Sequence, residues 1–253
     1  KDAVNSELST IFTHNVFVVV PPIQKQPVIS ELSNLKGVDS TKTLTNPVVP
    51  QVYPLIIAGR DINAILKSSS SREKNNVENS LSSLTSIEGF DLSSGSNNLP
   101  LITLKDGRNL ESSDAGTNNI ILDSSLESAP IHLRVNDSIV VQSADGSVTK
   151  ILKIVGFYDD SAQTNNSNFA GVLADSSLTE QLGGSLTLDV FSLKVDPNTL
   201  PTFKHSLSKA VPSAIILSVV DIDAIINQVL NNLVIMLTTI ASLAMIAGLI
   251  IIA

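Results

Sequence analysis

The spacing of apolar residues changes along the chain, and each change marks an element. Near the beginning, Asn15 to Val20 is a short run rich in valine and predicts a strand; Pro27 to Leu35 predicts a helix and Val52 to Ala58 a second strand. The same order returns near the end: a strand over Leu188 to Val195, a helix over Pro197 to Ala210, a strand over Ala214 to Val220. In that second helix Asp196 is placed to cap, Pro197 suits the first turn, and Leu200, Phe203 and Leu207 share one face. Two strand–helix–strand units at opposite ends of a chain predict one α/β subdomain closed by distant segments.

Between them the runs are short and strand-like: Leu99 to Leu104, Ile120 to Leu122, Ser138 to Gln142, Val148 to Val155 and Gly171 to Leu173. Turn signals at Asp106-Gly107, Asn136-Asp137, Asp145-Gly146 and Gly183-Gly184 separate them, and Val140 to Ile154 reads as a hairpin turning at Asp145-Gly146. Lys67 to Ser86 is polar and serine-rich, either a flexible loop or a surface helix with Leu81 and Leu84 packed down. The fold class that follows is α+β. Residues 1–66 and 186–221 form the split α/β part, and 67–185 form a β-rich insert.

The last segment has a different pattern. Ile222, Ile225, Ile226, Val229, Leu230 and Leu233 form one helical stripe, with Asp221 placed to cap its start and Asn227, Gln228, Asn231 and Asn232 facing elsewhere. From Ala224 onward nothing is charged, and Leu233 to Ala253 is apolar except for Thr238, Thr239, Ser242 and Gly248. At helical rise that stretch spans about 31 Å, close to the hydrocarbon core of a bilayer. A domain of this size rarely buries a helix that is apolar all round, so residues 222–253 read as a stalk leading into a transmembrane helix. The expectation is a span that continues past Ala253 and an export signal upstream of Lys1, whose neighbours do not resemble a signal peptide. Asp221 and Asp223 lie nearest the span and the closest cation is Lys209, which under the positive-inside rule places the domain away from the cytoplasm.

Composition narrows the chemistry. Charged residues make up only 16% of the 253 positions, and the formal net charge is −8. An acidic chain with no basic stretch has no electrostatic hold on phosphate backbones, which excludes nucleic acid as a partner. The absence of cysteine excludes a disulfide framework, a thiol nucleophile and a thiolate zinc site. No G-x-x-x-x-G-K-[ST] loop is present, and His14, His132 and His205 lack metal-ligand spacing. Ser33 to Lys36, Ser71 to Lys74 and Ser206 to Lys209 each match S-x-x-K, as chance allows in a serine-rich chain, without the S-D-N or K-T-G that would accompany a catalytic serine. Asp159-Asp160 reads as a solvated turn, and Asn165-Asn166-Ser167 as a weak glycosylation sequon. No catalytic, cofactor or metal site is expected.

One region carries a family signature. Leu104-Lys105-Asp106-Gly107-Arg108-Asn109-Leu110, followed by Asp114 and the strand Asn119-Ile120-Ile121-Leu122, resembles a motif in the extracytoplasmic domains of FtsX/MacB-type ABC-transporter permeases. The next mark of that family, roughly L-x-V-G-D, is matched by Leu133-Arg134-Val135-Asn136-Asp137, and its strand ending in V-x-G by Ile154-Val155-Gly156-Phe157, loosely. Asn136 departs from the usual glycine but is the other residue that tolerates positive φ. The resemblance is strongest from Leu101 to Tyr158 and is closest to the permeases of lipoprotein-releasing and macrolide-export systems. Gly107, Arg108, Leu110, Asp114, Val135, Asp137, Val155 and Gly156 are read as marks of the fold: the glycines for turns or close packing, Arg108 to tie the Asp114 loop without lining a ligand pocket, Asp137 to cap a turn.

The resemblance implies a split porter-like subdomain, an inserted sabre-like subdomain and four transmembrane helices in a bacterial cell-membrane protein, with the domain facing the periplasm or the exterior. It also implies a second permease copy, a cytoplasmic ATPase on a separate chain, and a non-catalytic role for this one. ATP-driven closure inside the cell would move the outer domain and expel or extract a substrate (lipid, lipoprotein or peptide), alone or with an extracytoplasmic partner protein. The competing reading is a single-span anchored adhesion or scaffold domain.

Overall fold

The computed structural model describes residues 14–94, 99–128, 130–159, 170–219 and 221. The stalk stripe from Ile222 to Leu233, the apolar run to Ala253 and the Asn165 sequon lie outside the described residues. Among the described residues no helix is long and apolar enough to cross a membrane.

The fold is a mixed α+β arrangement around one large sheet. Its strands are β1 (Val16–Val20), β2 (Leu44–Val49), β3 (Val52–Ile57), β4 (Arg60–Asp61), β5 (Ile87–Phe90), β6 (Leu104–Gly107), β7 (Asn119–Asp123), β8 (Ser138–Ser143), β9 (Thr149–Tyr158), β10 (Val172–Asp175), β11 (Leu188–Leu193) and β12 (Ile215–Ser218). The helices are α1 (Lys25–Asn34), α2 (Ile62–Ser68), α3 (Ser71–Ser82), α4 (Ser176–Gly183) and α5 (Leu200–Ala210). Strand order across the sheet is β12-β1-β11-β2-β5-β10-β7-β9-β8-β3-β4, with β6 pairing the end of β9.

The terminal units meet as their pattern predicts. β1 lies between β11 and β12, antiparallel to both, with Val18 opposite Phe191 on one side and Ile216 on the other. α1 and α5 cover one face of these strands, and Val16, Val18, Val28, Phe191, Leu193, Phe203 and Leu207 form a closed core there. Burying side chains of this size contributes about 1.5–3 kcal/mol each. Lys25 adds a tie from α1 to the sheet, 2.7 Å from the buried Asp189 carboxylate.

The strand that follows α1 in this unit is not the expected one. Val52 to Ala58 supplies β3, which pairs with β8 at the other end of the sheet and buries Val52 and Ile57 beside Ile139 and Leu152. The place next to β11 belongs to β2, whose sequence Leu-Thr-Asn-Pro-Val-Val hides its strand character behind Pro47. Proline removes a ladder donor and is ordinarily confined to edges; here pairing with β5 starts at Val48, one residue past it. β2 therefore joins the two halves, on β11 over residues 44–48 and on β5 over only two residues. The strands of the β-rich insert are continuous with the terminal strands through this junction.

Beyond it the sheet is covered on both faces around β7. Ile120 and Leu122 point into a core closed by α3 and α4, while Ile121 joins Phe90, Leu110, Val155, Tyr158 and Leu173 on the opposite side. The serine-rich stretch resolves in favour of a helix: α3 opens with a capping box between Ser70 and Glu73, and Val77, Leu81 and Leu84 are buried. The hairpin β8–β9 turns at Asp145-Gly146 as predicted. Two boundaries move. Leu99 to Leu104 is not a strand, because the pairing with β9 begins at Leu104 and ends at Gly107. α5 begins at Leu200 with Pro201 in its first turn, while Asp196 closes a short turn by accepting from the Asn198 backbone N–H.

Candidate functional site

The family-motif residues converge where β6 meets β9. Gly107 and Gly156 lie directly opposite each other. Gly107 sits at φ +73°, and a Cβ on Gly156 would overlap the Arg108 carbonyl oxygen. Both positions need glycine because backbone approaches backbone there. The close crossing turns the chain outward and delivers Arg108 to the loop at Glu111–Asp114.

Arg108 donates from Nη1 to Asp114 Oδ2 at 2.6 Å and from Nη2 to Asp114 Oδ1 at 2.8 Å, a forked pair, and also to the Asn109 carbonyl at 2.9 Å. The carboxylate further accepts from the Glu111 backbone N–H at 2.9 Å and from Asn119 Nδ2 at 2.7 Å. Asp114 is 2% exposed and Arg108 41%. Burial alone would raise the Asp114 pKa; the hydrogen bonds from Arg108, Asn119 and Glu111, with the Arg108 charge, outweigh it and hold the carboxyl below its ordinary value.

The remaining motif residues frame this pair. Leu110 and Val155 are buried in the core beneath it. Asp137 accepts from the Arg134 backbone N–H at 2.9 Å, closing a turn in which Asn136 takes φ +75°. Val135, Asn136, Asn119, Lys153 and Val155 line a cavity of about 280 Å³ with Gly107 and Arg108. Arg108 therefore stands on the wall of this cavity. The cavity does not gain that charge: Asp114 neutralises the guanidinium, and Glu111 lies 3.6 Å away. Among the described residues no cluster of His, Asp or Glu is arranged to hold a metal ion.

A second site lies at the end of the sheet where the chain enters β1 and leaves β12. Val16 is opposite Ser218, so entry and exit are neighbours. The Val219 N–H donates to the Asn15 carbonyl at 3.0 Å. On its other side Asn15 forms two side-chain bonds to Val195, donating to the carbonyl at 2.7 Å and accepting from the N–H at 2.8 Å. His14 beside it is 7% exposed, and burial holds its imidazole below its ordinary pKa.

The exit is capped by Ser218 rather than by Asp221. The backbone at Val219 and Asp221 is helical. Ser218 Oγ accepts from the Asp221 N–H, and the Asp221 carboxylate reaches back to the Ser218 N–H at 3.1 Å, a capping box with Asp221 at its third position. Lys204 on α5 then donates to both Asp221 oxygens, at 2.7 and 2.6 Å, and to Ser218 Oγ at 2.9 Å. Burial opposes ionisation of Asp221, but the Lys204 and Ser218 hydrogen bonds prevail and lower its pKa. Periodicity hid this arrangement because Lys204 lies a full element away in sequence; the S-x-x-D spacing from Ser218 to Asp221 was the available signal.

No family profile matches the chain, and no curated protein matches it. Among solved structures it is similar to the periplasmic region of MacB from Actinobacillus actinomycetemcomitans, at 15% identity and a TM-score of 0.46, covering 86% of this chain and 95% of that one. It is also similar to the extracellular domain of the noncanonical ABC-type transporter YknZ from Gram-positive bacteria, at 8% identity and a TM-score of 0.38, covering 81% and 100%. A third is a domain named as a permease protein from Porphyromonas gingivalis, at 14% identity and a TM-score of 0.35, covering 78% and 79%.

Proposed function

We propose that this chain is the extracytoplasmic domain of an FtsX/MacB-type ABC-transporter permease and that it transmits movement between the membrane and the outer part of the protein. The observation that supports this reading most directly is the exit geometry. The chain enters β1 and leaves β12 at the same end of the same sheet, hydrogen-bonded to each other. Beyond Asp221 the sequence runs through an amphipathic stripe into an uncharged apolar stretch. Two segments leaving side by side toward a membrane give a rigid body on two supports, and a displacement of the supports becomes a displacement of the whole sheet.

In this proposal the porter-like part comprises β1, α1, β2, β11, α5 and β12, and the sabre-like part runs from β3 through α4. The Arg108–Asp114 pair and the Gly107–Gly156 crossing hold the sabre-like part together. The chain catalyses nothing. A cytoplasmic ATPase on a separate chain supplies the energy, a second permease copy completes the transporter, and a lipid, lipoprotein or peptide is expelled or extracted on the outer side of a bacterial cell membrane.

Sidedness is directly measurable because these 253 residues contain no cysteine. A single cysteine at the exposed Ser147, at the β8–β9 turn, is expected to react in intact cells with a membrane-impermeant maleimide, after outer-membrane permeabilisation where one exists. Labelling only after the cytoplasmic membrane is broken would contradict the proposal.

A further inference from the structure

We infer that Asn15 and Lys204 are positioning residues that lock the two chain exits into a single mechanical joint. The chain's entry into β1 and its exit from β12 would then turn together with the sheet instead of separately. This inference rests on the proposed function for its meaning, since only segments leading to a membrane would have movement to transmit.

The bonding around Lys204 is saturated. Its ammonium has three N–H groups, and the structure supplies three acceptors: both Asp221 oxygens and Ser218 Oγ. The Ser218 hydroxyl has one donor and two acceptor positions. It donates to Asp221 at 2.6 Å and accepts from Lys204 and from the Asp221 N–H. Ser218 is fully buried, while Lys204 and Asp221 are 29% and 41% exposed. An ordinary capping box involves only its own helix end. Here a cation on α5 is bolted into the box, so the direction in which the chain leaves β12 is referenced to α5 as well as to the strand.

Asn15 does the corresponding job at the entry. Its side chain replaces a backbone pair, gripping both polar groups of Val195, and it is 4% exposed. Its own carbonyl receives the Val219 N–H. One residue thus ties the entry to β11 on one side and to the first turn of the exit on the other. Joined through Val219, the two nodes leave neither exit free to rotate about β1 or β12 alone. Neither residue belongs to the motif at β6 and β9.

The test is amide hydrogen exchange, followed by NMR, at Val219, whose N–H donates to the Asn15 carbonyl, and at Val195, whose N–H donates to the Asn15 side chain. Both amides are expected to be protected in the wild type. Lys204→Met keeps the aliphatic stem but removes the three donors. It should speed exchange at both amides roughly fivefold, the scale of losing charged hydrogen bonds at a half-exposed site, while the β8–β9 amides keep their wild-type rates. Lys204→Arg should restore the protection, which a general loss of stability would not do. Asn15→Ser should speed exchange at both as well; should that variant fail to fold, the Lys204 pair carries the test alone. Unchanged exchange at Val195 in Lys204→Met, or equal acceleration in Lys204→Met and Lys204→Arg, would overturn the joint. The measurement needs neither ATPase nor substrate, so its failure is distinguishable from a failure of the transport reading.

Discussion

Valine in place of Gly156 is expected to lower the melting temperature by roughly 10 °C, the scale of a loss of about 3 kcal/mol in a domain of this size. The cause is backbone against backbone. A Cβ at this position would overlap the Arg108 carbonyl oxygen and lie 3.0 Å from both the Arg108 nitrogen and the Asp106 oxygen. A flexible side chain can swing away from such a contact, but paired strands cannot move without opening the β6–β9 ladder. Opening it also releases Arg108, whose N–H donates to the Val155 carbonyl at 3.0 Å. Gly156→Ala should show the same effect at reduced size. Thermal unfolding followed by circular dichroism measures both, and a melting temperature within a degree or two of wild type in the valine variant would show that the close crossing is not structurally required.

Arg108→Ala is expected to cost about 2–3 kcal/mol at neutral pH, because it leaves the buried Asp114 carboxylate without its cation. The pH dependence carries the diagnosis. In the wild type the Asp114 pKa is depressed, so its stabilisation is fully present above the ordinary value of 3.8 and is lost as pH falls through the lower folded value. Without Arg108 the forked hydrogen bonds and the neighbouring charge are gone while burial remains, so the folded pKa rises from its wild-type position. The variant lacks the stabilisation that ionised Asp114 receives in the wild type, and lacks nothing where the carboxyl is protonated in both proteins. The deficit relative to wild type should be largest near pH 7 and shrink as pH falls below about 4. Denaturant unfolding at a series of pH values reads this directly. A deficit independent of pH would assign the role of Arg108 to packing of its stem, and stability equal to wild type would remove it from the structural account.

Much of this architecture was legible because local pattern and final position agree. The runs at Val16 to Val20 and Leu188 to Val195 are too apolar for a surface and too short for a membrane span, and they pair with each other in the sheet. The α5 face of Leu200, Phe203 and Leu207 has the period its burial requires. What pattern hid was hidden for definite reasons. Pro47 disguised β2. In β5, Glu88 and Gly89 disguised a strand buried at every position: Glu88 accepts from Asn46 at 2.8 Å, and Gly89 is glycine because α4 packs so close that a Cβ would meet the Ser176 backbone. β3 was visible as a strand but not as the partner of β8, because one apolar strand looks like another until its neighbours are known. At the motif, the spacing from Arg108 to Asp114 pointed to a pair. The cavity beside it could not be read, since it depends on β7 and β9 being parallel neighbours. Lys204 gave no local sign at all, as its partners lie on the next strand and just beyond it.

The central claim is that movement passes through the segment that follows Asp221, and one insertion tests it. A flexible Gly-Ser segment placed after Asn232 breaks mechanical continuity, since glycine costs roughly 1 kcal/mol per residue within a helix and a flexible linker carries little bending force. The measurement is substrate movement by the full-length permease reconstituted with its ATPase, with and without the insertion. The account predicts that folding, membrane insertion and basal ATP hydrolysis persist while transport falls severely. Transport at the wild-type rate with the insertion in place would contradict it, and would leave the domain a passive tether that a longer leash holds equally well.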